Sequence, residues 1–299
     1  MQILNDIDLL NFTGMQESQY FVKPSELIEK IKNRLNPNNL EFKGDLLPWN
    51  KTHNHVRLRP SEVSLWCGIN GHGKSQLLGQ VTAWNLRYKK WLIASMEMSP
   101  EATMERMTRQ IAGCRPSDEF IEKVGYWTDD KLWVYDQTDT VKMDRILAVV
   151  YYAAMELKIN HIVIDSMMKC GIKKDDFNTQ VYFVDKLCWC AKTTKCHIHL
   201  VHHIRKGDKE SIVPDKFDIR GATEITDLVD NVFIIHRNKA KEIKLQTGKQ
   251  VDPEEADCSL IVAKQRHGEW EGMFKLWFNP ESKQYTSNPG NRVMGFVLV

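Results

Sequence analysis

The 299 residues carry 41 basic and 39 acidic side chains, a formal net charge of +2. That balance excludes a global electrostatic footprint for nucleic acid, so a polyanion has to be held by a local strip. The length suits one large domain or a domain with a short arm. Seven cysteines scattered through strand-like and helix-like patterns fit a reducing compartment without a disulfide framework. No uncharged apolar run approaches the ~18 residues of a membrane span, and the N-terminus has no basic segment ahead of an apolar one; a soluble, unexported protein with no membrane partner is expected.

Residues 1 to about 21 are polar and mixed, and read as a lead-in. "VKPSELIEKIKNRL", about 22–35, then places Leu27, Ile28, Ile31 and Leu35 on one helical stripe, with Pro24 suited to the first turn. A helix this short is marginal alone, and it packs either on its own domain or on a neighbouring subunit. "NPNN" ends it, and a turn-rich stretch follows. The arm is therefore expected to run over residues 1–54.

From Glu62 onward apolar runs alternate with helical patterns: "VSLWC", "WLIAS", "LWVYD", "HIVID", "CHIHLVH", "NVFIIH", "CSLIVA" and "MFKLWF". The first five are spaced for crossover helices and predict a mostly parallel sheet covered on both faces. Polar turns separate the last three, which predicts an antiparallel edge. This α/β domain is expected over residues 55–288. A tail, 289–299, ends in the apolar "VMGFVLV", which reads as an added edge strand or a self-associating end.

Directly behind the first of these strands stands "GINGHGKSQ". Gly68, Gly73, Lys74 and Ser75 satisfy G-x-x-x-x-G-K-[ST], with Asn70, Gly71, His72 and Gln76 completing the cradle. Glycines let backbone amides turn toward phosphate oxygens, Lys74 offers a charge to the terminal phosphates, and Ser75 offers a hydroxyl to Mg2+. The pattern predicts a site for ATP or another NTP. Asp165, ending "HIVID", is the expected carboxylate for the metal. Glu97 in "WLIASMEMSP" is the candidate base, on a strand expected beside that of the phosphate loop. The cluster Cys188, Cys190, Cys196, His197, His199, His202 and His203 lacks metal-ligand spacing, since two helical residues two apart point roughly 200° apart. Strand alternation lets one of His202 and His203 face the terminal phosphate.

Over roughly residues 55–280 these elements resemble the DnaB-like hexameric replicative helicases, in the branch of the phage primase-helicases and Twinkle. The matching stretches are "GINGHGKS", "SMEM" with Glu97, "VIDS" with Asp165, "VHH" with His203 as the sensor, "DIRGATEITDLVDNVFIIHRNK", and "AKQRHGEWEG" with Lys264 and Arg266. The resemblance implies a RecA-like fold and a homo-oligomeric, hexameric ring. It also implies ATP-driven movement on single-stranded or forked DNA during replication, in a bacterial or phage-infected cytoplasm. In such a ring Arg266, with Lys264, enters the neighbour's nucleotide site, and the arm helix docks on the adjacent subunit. The sensor is histidine where many relatives have glutamine, and no cysteine pairs of a primase zinc domain precede the core, so a primase or polymerase would be a separate partner.

DNA contacts are expected from Lys173 and Lys174 in one loop and from Arg205, Lys206, Lys209, Lys216 and Arg220 in the next, which also holds four acids. Two other readings remain open: a recombination or repair ATPase of the same fold, and a non-translocating, ATP-dependent assembly or loader. The "SMEM" and "AKQRHGEWEG" elements favour the helicase. A small-molecule kinase is disfavoured because no lid-like arginine cluster stands out.

Overall fold

Val63–Gly68 (β1) is buried at every position, as a strand roofed on both faces must be. The computed structural model describes residues 21–36, 43–173, 175–204, 214, 223–290, 293–296 and 298. Around β1 stand Trp91–Ser95 (β2), Leu132–Val134 (β3), His161–Asp165 (β4), His197–His203 (β5), Asn231–Arg237 (β6), Cys258–Gln265 (β7), Gly272–Phe278 (β8) and Tyr285–Thr286 (β9). They form one sheet in the order β3-β2-β4-β5-β1-β6-β7-β8-β9. Strands β1 to β6 are mutually parallel, and β7, β8 and β9 add an antiparallel edge.

Alternation along each strand sorts the side chains onto two faces. Leu65, Cys67, Ile164, Leu200 and Ile234 pack under Met143–Met155 (α5), Phe177–Thr194 (α6) and Thr223–Leu228 (α7). Trp66, Val163, Val201, Phe233 and Leu260 pack under Lys74–Asn85 (α2), Pro100–Ala112 (α3) and Asp118–Thr128 (α4). Local chemistry sets the helix starts: the Ser99 and Ser117 side chains accept from the backbone of Ala102 and Phe120, and Pro100 opens its helix.

Four expectations change. Strand β6 is not part of an outer edge but lies beside β1, parallel to it, with Ser64 opposite Asn231. A helix, Lys239–Gln246 (α8), separates β6 from β7 where a polar turn was expected; of its residues only Lys241 is buried, so no apolar stripe announces it. Strand β2 is not adjacent to β1, because β4 and β5 intervene. Finally, the arm stops at Lys43, not residue 54: the chain divides into Met1–Lys43 and Gly44–Val299. Leu47, Trp49, Val56 and Leu58 are fully or almost fully buried in the second unit's core. In the first unit, Ile28–Leu35 (α1) buries none of its residues.

The tail makes no strand among its described residues. The Gln284 side chain takes a strand's place, accepting from Met294 N at 2.7 Å and donating to Met294 O at 3.0 Å. Phe296 meets Trp84 edge-on at 6.4 Å, and the Arg87 guanidinium lies over both rings.

At the N-terminal pole of the parallel strands lies a buried histidine chain. Trp66 Nε1 donates to His199 Nδ1 at 3.1 Å, His199 Nε2 and His161 Nδ1 are 3.1 Å apart, and His161 Nε2 is 2.9 Å from Asp45 Oδ2. Because indole N–H can only donate, each ring accepts on Nδ1 and donates from Nε2, and the chain ends on the carboxylate with both imidazoles neutral. His197 sits alongside, between the Arg59 carbonyl and the Ser64 hydroxyl, and Trp91 stacks on His161 and His199.

Candidate nucleotide site

Ligands of parallel sheets bind beyond the carboxyl ends of the strands, where the strand order reverses. Here β1 leads through α2 to β2, two strands beyond its own neighbour β5, and the phosphate-type loop stands at that reversal. Gly73 is the N-cap of α2 with φ of 87°. A Cβ there would also come within 2.3 Å of the Tyr285 hydroxyl, so backbone and space both require glycine. Lys74 Nζ donates to the Gly68 and Ile69 carbonyls at 2.9 and 3.1 Å, and burial pulls its pKa down against the charges of Asp165 and Glu97. The His72 side chain turns inward, fully buried, and its Nδ1 accepts from Arg237 N at 3.1 Å. It anchors the loop, leaving the main chain to meet a phosphate. Gln76 likewise points to the Lys283 carbonyl.

The Ser75 hydroxyl donates to Asp165 Oδ2. Asp165 is buried, and burial raises its carboxyl above the usual range. These are oxygen donors only, the set a hard divalent cation takes, so Ser75 and Asp165 fit Mg2+. Glu97 follows β2 and reaches the same space across β4. Ser166, joined to Asp165 by a cis peptide bond, donates from Oγ to Glu97 Oε1 at 2.7 Å. His203 Nε2 lies 3.6 Å from the same oxygen and 3.4 Å from Ser166 Oγ. The His203 imidazole and the Ser166 hydroxyl hold the Glu97 carboxyl down to about 2, against burial, which pushes it up. His203 lines the cavity, while His202 is buried.

All these groups open into one cavity of about 960 Å³ that continues past Arg106, Arg237, Tyr285 and Phe278. Its size is that of a site for a nucleotide-sized ligand. Arg237 ends β6, pairs with Glu242 and donates to Gly71 O at 3.3 Å. Gln80 grips both the N–H and the C=O of Tyr285, at 2.7 and 2.9 Å. The motif reading missed Ser166, Arg106, Arg237, Tyr285 and Phe278.

The model of the DnaB-like helicase C-terminal domain matches residues 55–287. The chain belongs to the DnaB-like helicase family. It is thus an ATP-hydrolysing replicative helicase domain that binds nucleotide and DNA. The fold is similar to the solved ATPase domain of another DnaB-like replicative helicase, with a TM-score of 0.75 at 12% identity over 89% of this chain and 99% of that one. It is also similar to a DnaB-like replicative helicase solved to examine its interactions with primase, with a TM-score of 0.73 at 12% identity over 94% and 73% of the two chains. The helicase is RecA-like in fold, and none of its described helices is long and apolar enough to cross a membrane.

The other expected site residues lie elsewhere on the helicase. Arg266 follows β7, whose last residue, Gln265, pairs with Asn231 at the start of β6, itself level with Ser64 in β1. Arg266 therefore stands at the pole opposite Gly68. Lys264 Nζ donates to the carbonyls of Thr226, Asp227 and Val229 at 2.6, 3.0 and 2.9 Å, which uses all three ammonium protons on the C-terminal end of α7. Lys173 is exposed in the loop after β4. Lys174, Arg205, Lys206, Lys209, Lys216 and Arg220 lie outside the described residues.

Proposed function

We propose that the helicase works as a hexameric ring that hydrolyses ATP with Mg2+ between subunits, moves along single-stranded DNA and opens the duplex at a replication fork. One observation carries the ring. Val63 and Gly68 are five strand residues apart, about 17 Å at roughly 3.3 Å per residue, and Arg266 is bonded at the Val63 end. A cation there cannot reach its own phosphate loop, so any phosphate it touches belongs to a neighbour.

In this reading Ser75 and Asp165 hold Mg2+, which when bound neutralises charge on the β- and γ-phosphate oxygens. Lys74 takes the terminal phosphates. Glu97, fixed by Ser166, orients the attacking water and receives its proton, and His203 sits where it senses the γ-phosphate. Arg266 of the neighbour meets charge building on the transferred group. Lys264 braces α7 beside Arg266. The loops carrying Lys173 and Lys174, and Arg205, Lys206, Lys209, Lys216 and Arg220, face the DNA. A primase on a separate chain and a cytoplasmic setting belong to the same reading.

Strand displacement on forked substrates, with either single-stranded tail removed, tests it alongside sizing with and without ATP and Mg2+. Unwinding that needs one tail and coincides with a ring is expected. DNA-stimulated hydrolysis with no displacement on any fork would leave a loader or assembly ATPase instead.

A further inference from the structure

A finger that acts on a neighbour's phosphate must be aimed before the neighbour arrives, because an arginine free to rotate gains orientation only at the cost of its side-chain entropy. Asp230, between α7 and β6, provides an anchor. All its polar groups are engaged: N donates to Val63 O at 2.9 Å, Oδ2 accepts from Val63 N at 2.9 Å, O accepts from Arg266 N at 2.8 Å, and Oδ1 lies 3.2 Å from Arg266 Nε. Its side chain is 7% exposed, against 41% for that of Arg266. The carboxylate thus belongs to the rigid sheet and the guanidinium to the surface.

The rest of the same guanidinium edge is also occupied. Arg266 Nη2 donates to the carbonyls of Asp227, Leu228 and Val229 at 2.6, 3.0 and 3.3 Å, at the C-terminal end of α7, where helix carbonyls lack partners of their own. The group is planar, with five donors in a fixed fork. Holding Nε and Nη2 therefore sets the direction of Nη1, which makes no hydrogen bond among the described residues. We infer that Asp230 is a positioning residue for the trans finger, orienting Nη1 of Arg266 toward the adjacent subunit's nucleotide. The inference rests on the trans role of Arg266 proposed above.

Asp230→Asn isolates the interaction, because the amide oxygen still accepts from Val63 N while its NH2 cannot accept from Arg266. The full-length assembled protein should lose about 10- to 100-fold in kcat with KM within twofold, and its melting temperature and oligomer size should not change. Adding Asp230→Asn to Arg266→Ala should cost nothing further. Mixed assembly gives a readout that a structural role would not move. Asp230→Asn subunits carry an intact phosphate loop and Lys74→Ala subunits an intact finger, so co-assembly should restore hydrolysis above both parents, as it should for Arg266→Ala with Lys74→Ala.

Unchanged kcat in Asp230→Asn beside a large loss in Arg266→Ala overturns the inference and leaves the finger standing. Unchanged kcat in Arg266→Ala overturns the finger, and the inference with it. Recovery with Arg266→Ala but none with Asp230→Asn places the Asp230 defect inside its own subunit and also overturns the inference. Should the Asp230→Asn chain fail to assemble, Arg266→Lys asks the same question from the other side, since lysine keeps the charge and lacks the fork. A loss as deep as that of Arg266→Ala is then expected, and a near-parental rate would refute the positioning role.

Discussion

At the residue scale, chemistry divides between a group that holds phosphate and a group that handles the proton. Lys74→Ala removes the ammonium directed at the terminal phosphates, and nucleotide binding should fail with it. Glu97→Gln keeps volume and can still accept from Ser166, so binding and assembly should persist while turnover falls about 10²–10⁴-fold, the usual worth of a positioned acid or base. Nucleotide titration beside steady-state ATPase measures both, and equal loss of binding in the two variants removes Glu97 from the base's role. Because the Glu97 carboxyl is held down to about 2, it is ionised throughout any practical assay range. An acid limb of kcat above pH 4 must then come from another group. Ser166 stood in the motif "VIDS" and was legible by position, yet its role depends on a bond to Glu97, 69 residues away in sequence. Arg237 and Tyr285 carry no motif, because their contribution arises where β6 and β9 close one end of a cavity.

At the element scale, periodicity marked the strands and most helices, since a two-sided core writes itself as apolar runs and stripes. It failed where burial has no period. Leu47, Trp49, Val56 and Leu58 enter the core one at a time between turns, so the arm seemed longer than it is. Strand order is set by long-range pairing and left no local trace of β4 and β5 standing between β2 and β1. The tail was misread for a related reason: its apolar residues pack on helix α2, with Gln284 supplying the hydrogen bonds a strand would need. Ending the chain at residue 292 should therefore lower stability by about 2–4 kcal/mol, the burial of one or two large side chains, read by urea unfolding. The Met294 amide should exchange slowly in the parent, and an unchanged unfolding midpoint would leave the packing without energetic weight. Removing residues 1–43 should behave in the opposite way. No residue of α1 is buried in the chain, so the core should melt as before, while the oligomer should dissociate at higher concentration than the parent. Sizing across a dilution series decides, and an unaltered assembly would mean that the stripe of Ile28, Ile31 and Leu35 binds nothing in the ring.

At the scale of the whole molecule, the two poles of the sheet carry opposite kinds of polar chemistry. The carboxyl pole keeps charges for a ligand; the amino pole buries three imidazoles that stay neutral. Burial lowers the pKa of His161 and His199, and brings His197 to about 3. An unfolded histidine takes a proton near 6.5, so below that pH the unfolded chain binds protons the folded chain refuses. Stability must then rise with pH across the window from about 3 to 6.5, and fall on acidification, by up to ~1.4 kcal/mol per pH unit for each histidine. Asp45, whose carboxyl is lowered by its bond to His161 and nearby positive charge against burial, adds to the loss only below 3.8. Glu62 and Asp165, raised by burial, oppose it by holding protons the unfolded chain has released. The net slope of the parent therefore mixes signs, and a single substitution separates them. His197→Gln keeps partners for the Ser64 hydroxyl and the Arg59 carbonyl but cannot titrate. Its unfolding free energy, measured in urea from pH 7.5 to 5, should fall less steeply than the parent's below 6.5, with the gap between the curves widening by about 1 kcal/mol per pH unit. Parallel curves over that range would mean that His197 is protonated in the folded state as readily as in the unfolded one, and the neutral chain at the amino pole would have to be redrawn.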